Sequence, residues 1–290
     1  MMPSITIRSA GMEFGIKTPP QHCTWQDMVD IWQAADSMPV FSSCWNFDHF
    51  YPLVGDPEGS CMESWVTLSA LASMTSRIRV GCMVTGAPYR HPALTANMAL
   101  TLDIVSGGRL NLGLGAGWFE PECEAYGIDL LPLGDRMDRF EESVQVIRSL
   151  MANEFTDFAG NYFQLNQARA EPKGIQSGGP PIVIGGGGEK RTLKIAALYA
   201  DHWNLSFASP EQFVSKKAVL AEHCENVGRD LTDIECSVQI TLPPDQAPTA
   251  SADQAAELID AGVDTVIFSL RNPYRASILE PLAAALETLT

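Results

Sequence analysis

"PPIVIGGGGEKRTLKIAALYADHW", residues 180–203, joins a short apolar β-rich run to four consecutive glycines, Gly185, Gly186, Gly187 and Gly188. A stretch with helical periodicity follows and leads into another β-rich run at His202. This strand–turn–helix–strand order is the repeat of a parallel α/β fold. Working outward, eight apolar, β-rich runs lie at 12–17, 40–47, 78–85, 110–115, 181–184, 202–207, 234–242 and 264–270.

Helical signals lie between the runs. Thr24 caps a segment with Met28, Ile31, Trp32 and Ala35 on one face. Pro92 starts a helix that stops at Ser106-Gly107-Gly108. Asp135 precedes a long helix striped by Met137, Phe140, Val144, Ile147 and Met151. Ser209-Pro210 opens another, Ser251-x-x-Gln254 resembles a capping box before a stop at Gly262, and Asn272-Pro273 opens the last. A helix after each strand implies parallel pairing through right-handed crossovers. Eight units in 290 residues fit a (β/α)8 TIM barrel in one domain, 1–290, better than an open doubly wound sheet. Residues 153–179, between the fourth helix and the fifth strand, are too long for a plain connection and read as an inserted loop over one edge of the barrel mouth.

The net charge of −16 argues against nucleic acid or an anionic membrane as partner. No apolar run reaches the ~18 residues of a membrane span. Residues 1–13 show no basic-then-apolar signal pattern. Seven cysteines, an odd number with no C-x-x-C pair, indicate neither a disulfide framework nor a zinc site. A reduced, cytoplasmic enzyme is the expectation.

In a TIM barrel the chemistry sits on the loops after the strands. Gly185 to Gly188 fall there, followed by a helix expected near Glu189, so their amides make an anion nest that any Cβ would crowd. Lys190, Arg191 and Lys194 offset the acidic background. The spacing is neither a dinucleotide fingerprint nor a Walker loop. Gly113, Gly115 and Gly117 end the fourth strand, either beneath a flat ligand or in plain barrel packing. Asp48-His49 ends the second strand, where a histidine can move protons at neutral pH and Asp48 can orient it or bind a ligand; a structural histidine is the equal alternative. His22 and His91 also fall near the mouth, whereas His202 and His223 read as structural. No metal-binding or serine-nucleophile motif appears. A phosphate cradle without a metal motif suggests a phosphorylated organic cofactor.

The pieces "TPPQHCTWQDMVDIWQAAD", "NFDHF", "RHPALTANMALTLDIVSGGRLNLGLGAGW", "EPECEAYGI", "RMDRFEESVQVIRSL" and "PPIVIGGGGEKRTLKIAALYADHWN" span nearly the whole chain. Together they resemble the luciferase-like flavin and deazaflavin oxidoreductases. The resemblance implies a barrel with an isoalloxazine or deazaflavin ring in its mouth and His49 beside it as proton donor or electrostatic stabiliser. It implies a third-strand bulge with a non-proline cis peptide, counted to Cys82–Met83, with Thr85 at the ring edge. It also implies a phosphate on Gly185 to Gly188, and a homodimer. "GIKTPP", "WNFDHF" and "GAGW" look closest to the branch that uses coenzyme F420, with FMN-dependent monooxygenation or a catalytically silent flavin-binding protein as alternatives. Trp118 stands where the deazaflavin sugar-phosphate dehydrogenases carry a glutamate, which disfavours sugar chemistry; Glu120 and Glu122 lie nearby. Trp45, Trp118 and Phe119 are expected to line the substrate space. Lys17 reads as a solvated or cofactor-tail contact rather than a Schiff-base lysine, which disfavours an aldolase or isomerase. Arg271 and Arg275 can reach a polyglutamate tail or simply face solvent.

Overall fold

All eight runs form strands, and they close. The computed structural model describes residues 12–289. Strand β1 (Glu13–Lys17) pairs in parallel with β2 (Phe41–Asn46), which pairs with β3 (Arg79–Cys82). The ladder continues through β5 (Leu110–Gly115), β8 (Ile182–Gly185), β9 (His202–Ser206), β10 (Glu235–Leu242) and β11 (Thr265–Leu270), which returns to β1. The chain is a (β/α)8 barrel. No described helix is long and apolar enough to cross a membrane.

The third run splits. Its tail is a two-residue strand, β4 (Thr85–Gly86), that rejoins β5 after a bulge. The non-proline cis bond lies at Met83–Val84, one bond later than counted from the sequence. The shift has a visible reason. Cys82 is still in register with Asn46, and Met83 N donates to Asn46 O at 3.0 Å, so the chain leaves the ladder only after Met83.

The helices start largely where the caps place them. Thr24 and Asp27 form a reciprocal capping box for α1 (Trp25–Ser37). After α2 (Ser64–Ser73), Pro92 begins α3 (Pro92–Val105), which ends on left-handed Gly107 and Gly108. The seven-residue α4 (Glu120–Tyr126), which the sequence reading did not identify, precedes α5 (Leu133–Ala152), where Asp135 lies inside the first turn. Helices α6 (Thr192–Tyr199) and α7 (Pro210–Val227) follow, the second boxed by Ser209 and Gln212.

Two helix starts differ from expectation. Pro248 opens α8 (Pro248–Asp260) three residues before Ser251, because proline suits the first helical position. Ser251 is therefore inside the helix, buried, accepting from Gln246 Nε2 at 2.9 Å. Asn272-Pro273 forms a cis turn rather than a helix start, since Asn272 Nδ2 is drawn to Gln21 O at 3.0 Å. Helix α9 (Leu279–Leu286) begins only after a 3-10 turn.

The insertion is a hairpin, β6 (Thr156–Ala159) against β7 (Gln164–Ala168). The Glu142 carboxylate of α5 gathers the amides of Asn161, Tyr162 and Phe163 in its turn. The Phe163 ring packs edge-on to His91, and Asp103 of α3 fixes the return through Gln176. Among the described residues no hydrogen bond or ring contact joins the hairpin to the loops after β2 or β8.

The outward faces of the strands pack on the helices. The barrel interior holds a smaller apolar cluster of Trp45, Met83, Val183 and Ile267, with Val84 against it. Trp45 thus fills the lumen rather than the mouth, and only because Gly81 makes room: a Cβ there would lie 2.4 Å from its ring. Beside this cluster runs a polar ladder in which Lys17 Nζ donates to Gln239 Oε1 at 2.8 Å and Gln239 donates on to Asn204 and Ser206.

Lys17 is buried, not solvated as the sequence suggested, and burial lowers its ammonium to about 8 from an ordinary 10.5. Between those two values the unfolded chain binds more protons than the folded one, so stability rises with pH there. Below pH 8 both states are protonated and the full burial cost is present. We expect the unfolding free energy of the protein, relative to a Lys17→Met variant, to be flat below pH 8 and to gain about 3 kcal/mol by pH 10.5. Denaturant titrations across that window check it; parallel pH profiles for the two proteins would contradict it.

Candidate active site

Parallel strands put all eight loop exits on one rim, so the ends of β2 and β8 share a mouth. Asp48 follows β2 and turns inward. Its carboxylate binds Arg90 through Nη1 at 2.6 Å and Nη2 at 3.0 Å, and accepts the Gly86 amide at 3.0 Å. Burial pushes this carboxyl up, opposed by the Arg90 pair and the Gly86 amide. Asp48 makes no bond to His49, so it does not orient that ring as the sequence suggested. Asp48 instead fixes the segment 86–90, which carries Tyr89.

The partner of His49 comes from 73 residues away. Glu122, in the first turn of α4, is fully buried; its Oε1 lies 2.6 Å from His49 Nδ1 and its Oε2 accepts Phe50 N at 2.8 Å. The Tyr89 hydroxyl donates to Oε1 as well. Burial works to raise the Glu122 carboxyl, but the bonds from His49, Tyr89 and Phe50 outweigh it and hold it below the usual range. The Tyr89 hydroxyl is pushed well up by burial and by the acid it serves. A carboxylate is acceptor-only, so Nδ1 must carry the proton. Among the described residues Nε2 makes no hydrogen bond, so it is the nitrogen open to a ligand. Edge-on contacts from Phe47, Trp118 and Phe119, at 5.0, 5.8 and 5.9 Å, hold the imidazole in place. Trp118 is 62% exposed and forms an open apolar flank.

The floor is built from glycines and the bulge. Val84 lies over β5 and β8: a Cβ on Gly115 would stand 2.5 Å from its Cγ2, and one on Gly185 2.8 Å from its Cγ1. A Cβ on Gly113 would meet Cys82 O at 2.0 Å. Packing alone requires glycine at Gly113 and Gly115. Gly117 is needed for its positive φ of +79° against Pro88. Cys82 and Met83 are buried beneath this floor, and burial pushes the Cys82 thiol up to about 12. Thr85 is buried beside that thiol, its Oγ1 lacking a hydrogen bond of regular geometry.

The glycine loop differs from the expected helix cap. Helix α6 starts at Thr192, after a turn at Glu189-Lys190, so the nest is a free loop rather than a helix terminus. Gly186 takes a φ of +121° and donates to Asn204 O at 3.0 Å, and Gly187 packs on Leu205. The Gly187 and Gly188 amides donate to no described acceptor. Arg191 is engaged by Asp138 and Glu141, while Lys190 and Lys194 are exposed without an ion pair among the described residues. Two open amides flanked by two free cations fit a phosphate group. Between this loop and His49 lie three strand spacings, about 14 Å along the wall. That is a distance a flat ring with a phosphorylated arm can span.

Comparison with known proteins supports the fold and gives the family. Pyrimidine monooxygenase RutA of Escherichia coli O139:H28 is 34% identical over 198 residues, covering 65% of this chain and 48% of that protein. RutA of Escherichia coli O7:K1 is 32% identical over 241 residues, covering 74% and 70%. The chain thus spans about half the length of the first of these curated relatives. Among solved structures, an F420-dependent secondary alcohol dehydrogenase in complex with an F420–acetone adduct superposes with a TM-score of 0.84 at 19% identity, over 96% of this chain and 99% of that one. The coenzyme F420 dependent tetrahydromethanopterin reductase of Methanopyrus kandleri gives 0.82 at 18% identity, over 97% and 100%. These structural likenesses speak for the fold. The sequence profile described as luciferase-like monooxygenase matches residues 12–286, and the chain belongs to that family.

Proposed function

We propose that the protein is an F420-dependent oxidoreductase that moves a hydride between the deazaflavin and a carbonyl or alcohol carbon of a small organic substrate. The observation that carries this reading is the His49–Glu122 pair, with one imidazole nitrogen fixed and the other open, at a mouth whose β5 and β8 wall is lined by glycines. When bound, F420 supplies the hydride at C5 and, unlike a reduced flavin, does not react with dioxygen. His49 Nε2 gives a proton to the carbonyl oxygen in one direction and takes it from the hydroxyl in the other. Glu122 holds the ring in the tautomer that permits this and stabilises the imidazolium. Gly187 and Gly188 take the phosphate, while Trp118 and Phe119 limit water beside His49.

FMN-dependent monooxygenation is the second reading. Relatives 32–34% identical in sequence are named monooxygenases, and dioxygen activation calls for a flavin rather than a deazaflavin. Equilibrium titration with F420 and with FMN separates the two readings. The first expects tighter binding of F420 and turnover indifferent to oxygen. Tighter FMN binding with oxygen-dependent turnover would replace it with the second. Binding of either cofactor with no turnover on any carbonyl or alcohol panel would favour a silent flavin-binding protein.

A further inference from the structure

Two cations at the exits of β1 and β11 have no carboxylate set against them. Lys17 ends β1 and spends one proton on the neutral Gln239 amide. The ionisable groups acting on it are the Cys82 thiol and the Arg271 guanidinium. Arg271 leaves β11 with its backbone amide on Leu242 O at 3.1 Å, but its guanidinium makes no hydrogen bond or ion pair among the described residues. In a chain with 35 acidic and 19 basic residues, two neighbouring cations left unneutralised at a barrel mouth are out of place as packing.

Beside Arg271 opens a cavity of about 320 Å3, large enough for a small organic ligand, lined by Gln21, His22, Asp56, Arg271 and Asn272 among others; the buried Lys17 is not part of this lining. Its inner wall is fixed. Gln21 Oε1 accepts Leu53 N at 2.8 Å, and His22 sits at a φ of +49° with its carbonyl held by Asn272 Nδ2 at 3.3 Å. Gly59 packs so close that a Cβ would come within 2.1 Å of the His22 ring. The imidazole is locked in place, yet its Nε2 is buried and has no partner. Asp56 is the one acidic side chain lining the cavity, exposed at its rim and accepting Glu58 N at 3.0 Å.

Strand order gives this cavity its meaning. Around the barrel β1 and β8 lie four strands apart in either direction, so Lys17 faces the glycine loop across the mouth. Lys17 is also in register with Trp45 of β2, four residues before His49. A phosphate held on the β8 arc leaves the β1/β11 arc to the substrate, next to the proton-bearing residue.

We propose that Arg271 is the core of an anion subsite that receives a carboxylate, or an equivalent oxyanion, carried by the organic substrate, with the neighbouring buried Lys17 charge supporting it through space. The planar guanidinium fork matches a carboxylate, and the buried Lys17 ammonium adds a positive point charge behind it. The proposal rests on the oxidoreductase reading above and names its substrate class.

Calorimetric titration of the full chain with benzoate, and with benzamide as its uncharged counterpart, tests it. Benzoate is expected to bind at least about tenfold more tightly than benzamide, the effect of one charge-assisted contact. Arg271→Gln is expected to weaken benzoate by about tenfold or more, Lys17→Met to weaken it by a smaller factor, and both to leave benzamide unchanged. Affinities for F420 and FMN should hold in both variants. Equal binding of benzoate and benzamide, or unchanged benzoate binding in both variants, overturns the subsite. Loss of F420 or FMN affinity with benzoate binding intact assigns the cations to the cofactor and overturns it as well. Selective benzoate binding by a protein that takes neither cofactor supports the subsite and removes the oxidoreductase reading, so the two fail separately.

Discussion

His49→Ala is expected to lower kcat with F420 by about 10²–10⁴-fold, the usual range for loss of a positioned acid–base group. The dissociation constant of the cofactor should change little. The asymmetry follows from where the ring is held. Its Nδ1 is committed to Glu122 and its flanks to Phe47, Trp118 and Phe119, so only Nε2 meets the reacting groups. The proposed phosphate contacts, at Gly187 and Gly188, lie on another arc of the rim and should survive the substitution. Equal losses in turnover and in cofactor affinity would make His49 a binding residue only. A variant that turns over normally would move the proton transfer elsewhere.

Glu122→Gln is expected to cost about 3 kcal/mol of stability and to lower kcat by about 10–100-fold. Three donors converge on this carboxylate: His49 Nδ1, the Tyr89 hydroxyl and the Phe50 amide. A glutamine offers one acceptor oxygen and a donating NH2, so one incoming proton must face another. If the NH2 turns toward the ring, Nδ1 becomes the acceptor and the proton moves to Nε2, which changes the tautomer available for chemistry. Glu122 is a positioning residue: the kcat loss should appear at unchanged substrate KM, and Tyr89→Phe, which removes a single donor, should be much milder. Thermal or denaturant unfolding at neutral pH, beside steady-state rates, measures both effects. A Glu122→Gln protein as stable and as active as the parent would dismiss the network.

Much of this could be read in the chain, for identifiable reasons. The eight strands announce themselves because barrel strands are buried on both faces and read as continuous apolar runs. The helix starts at Trp25, Pro92 and Pro210 follow local capping chemistry, which sequence displays directly. Ser251 misled because a serine with a glutamine three residues on also fits inside a helix that Pro248 has already opened. His49 was legible as a histidine at a strand exit, but its partner was not. Nothing near Asp48-His49 points to Glu122; adjacency favoured Asp48, whose carboxylate the structure commits to Arg90. The available signal was Pro121 near the start and Gly127 after the end of a short helix. That pattern reveals α4, but only barrel closure shows which of its glutamates turns inward. The burial of Lys17 was hidden for the same reason, since a lysine closing a strand looks solvated until Gln239 arrives from 222 residues away.

The crystal structure of the protein soaked with F420 tests the central claim most directly. The expected result is the flat ring over the Val84 floor with His49 Nε2 beside its reactive edge, and the phosphate on the Gly187 and Gly188 amides. A cofactor bound on another face of the barrel, or a phosphate seated away from that loop, would contradict it.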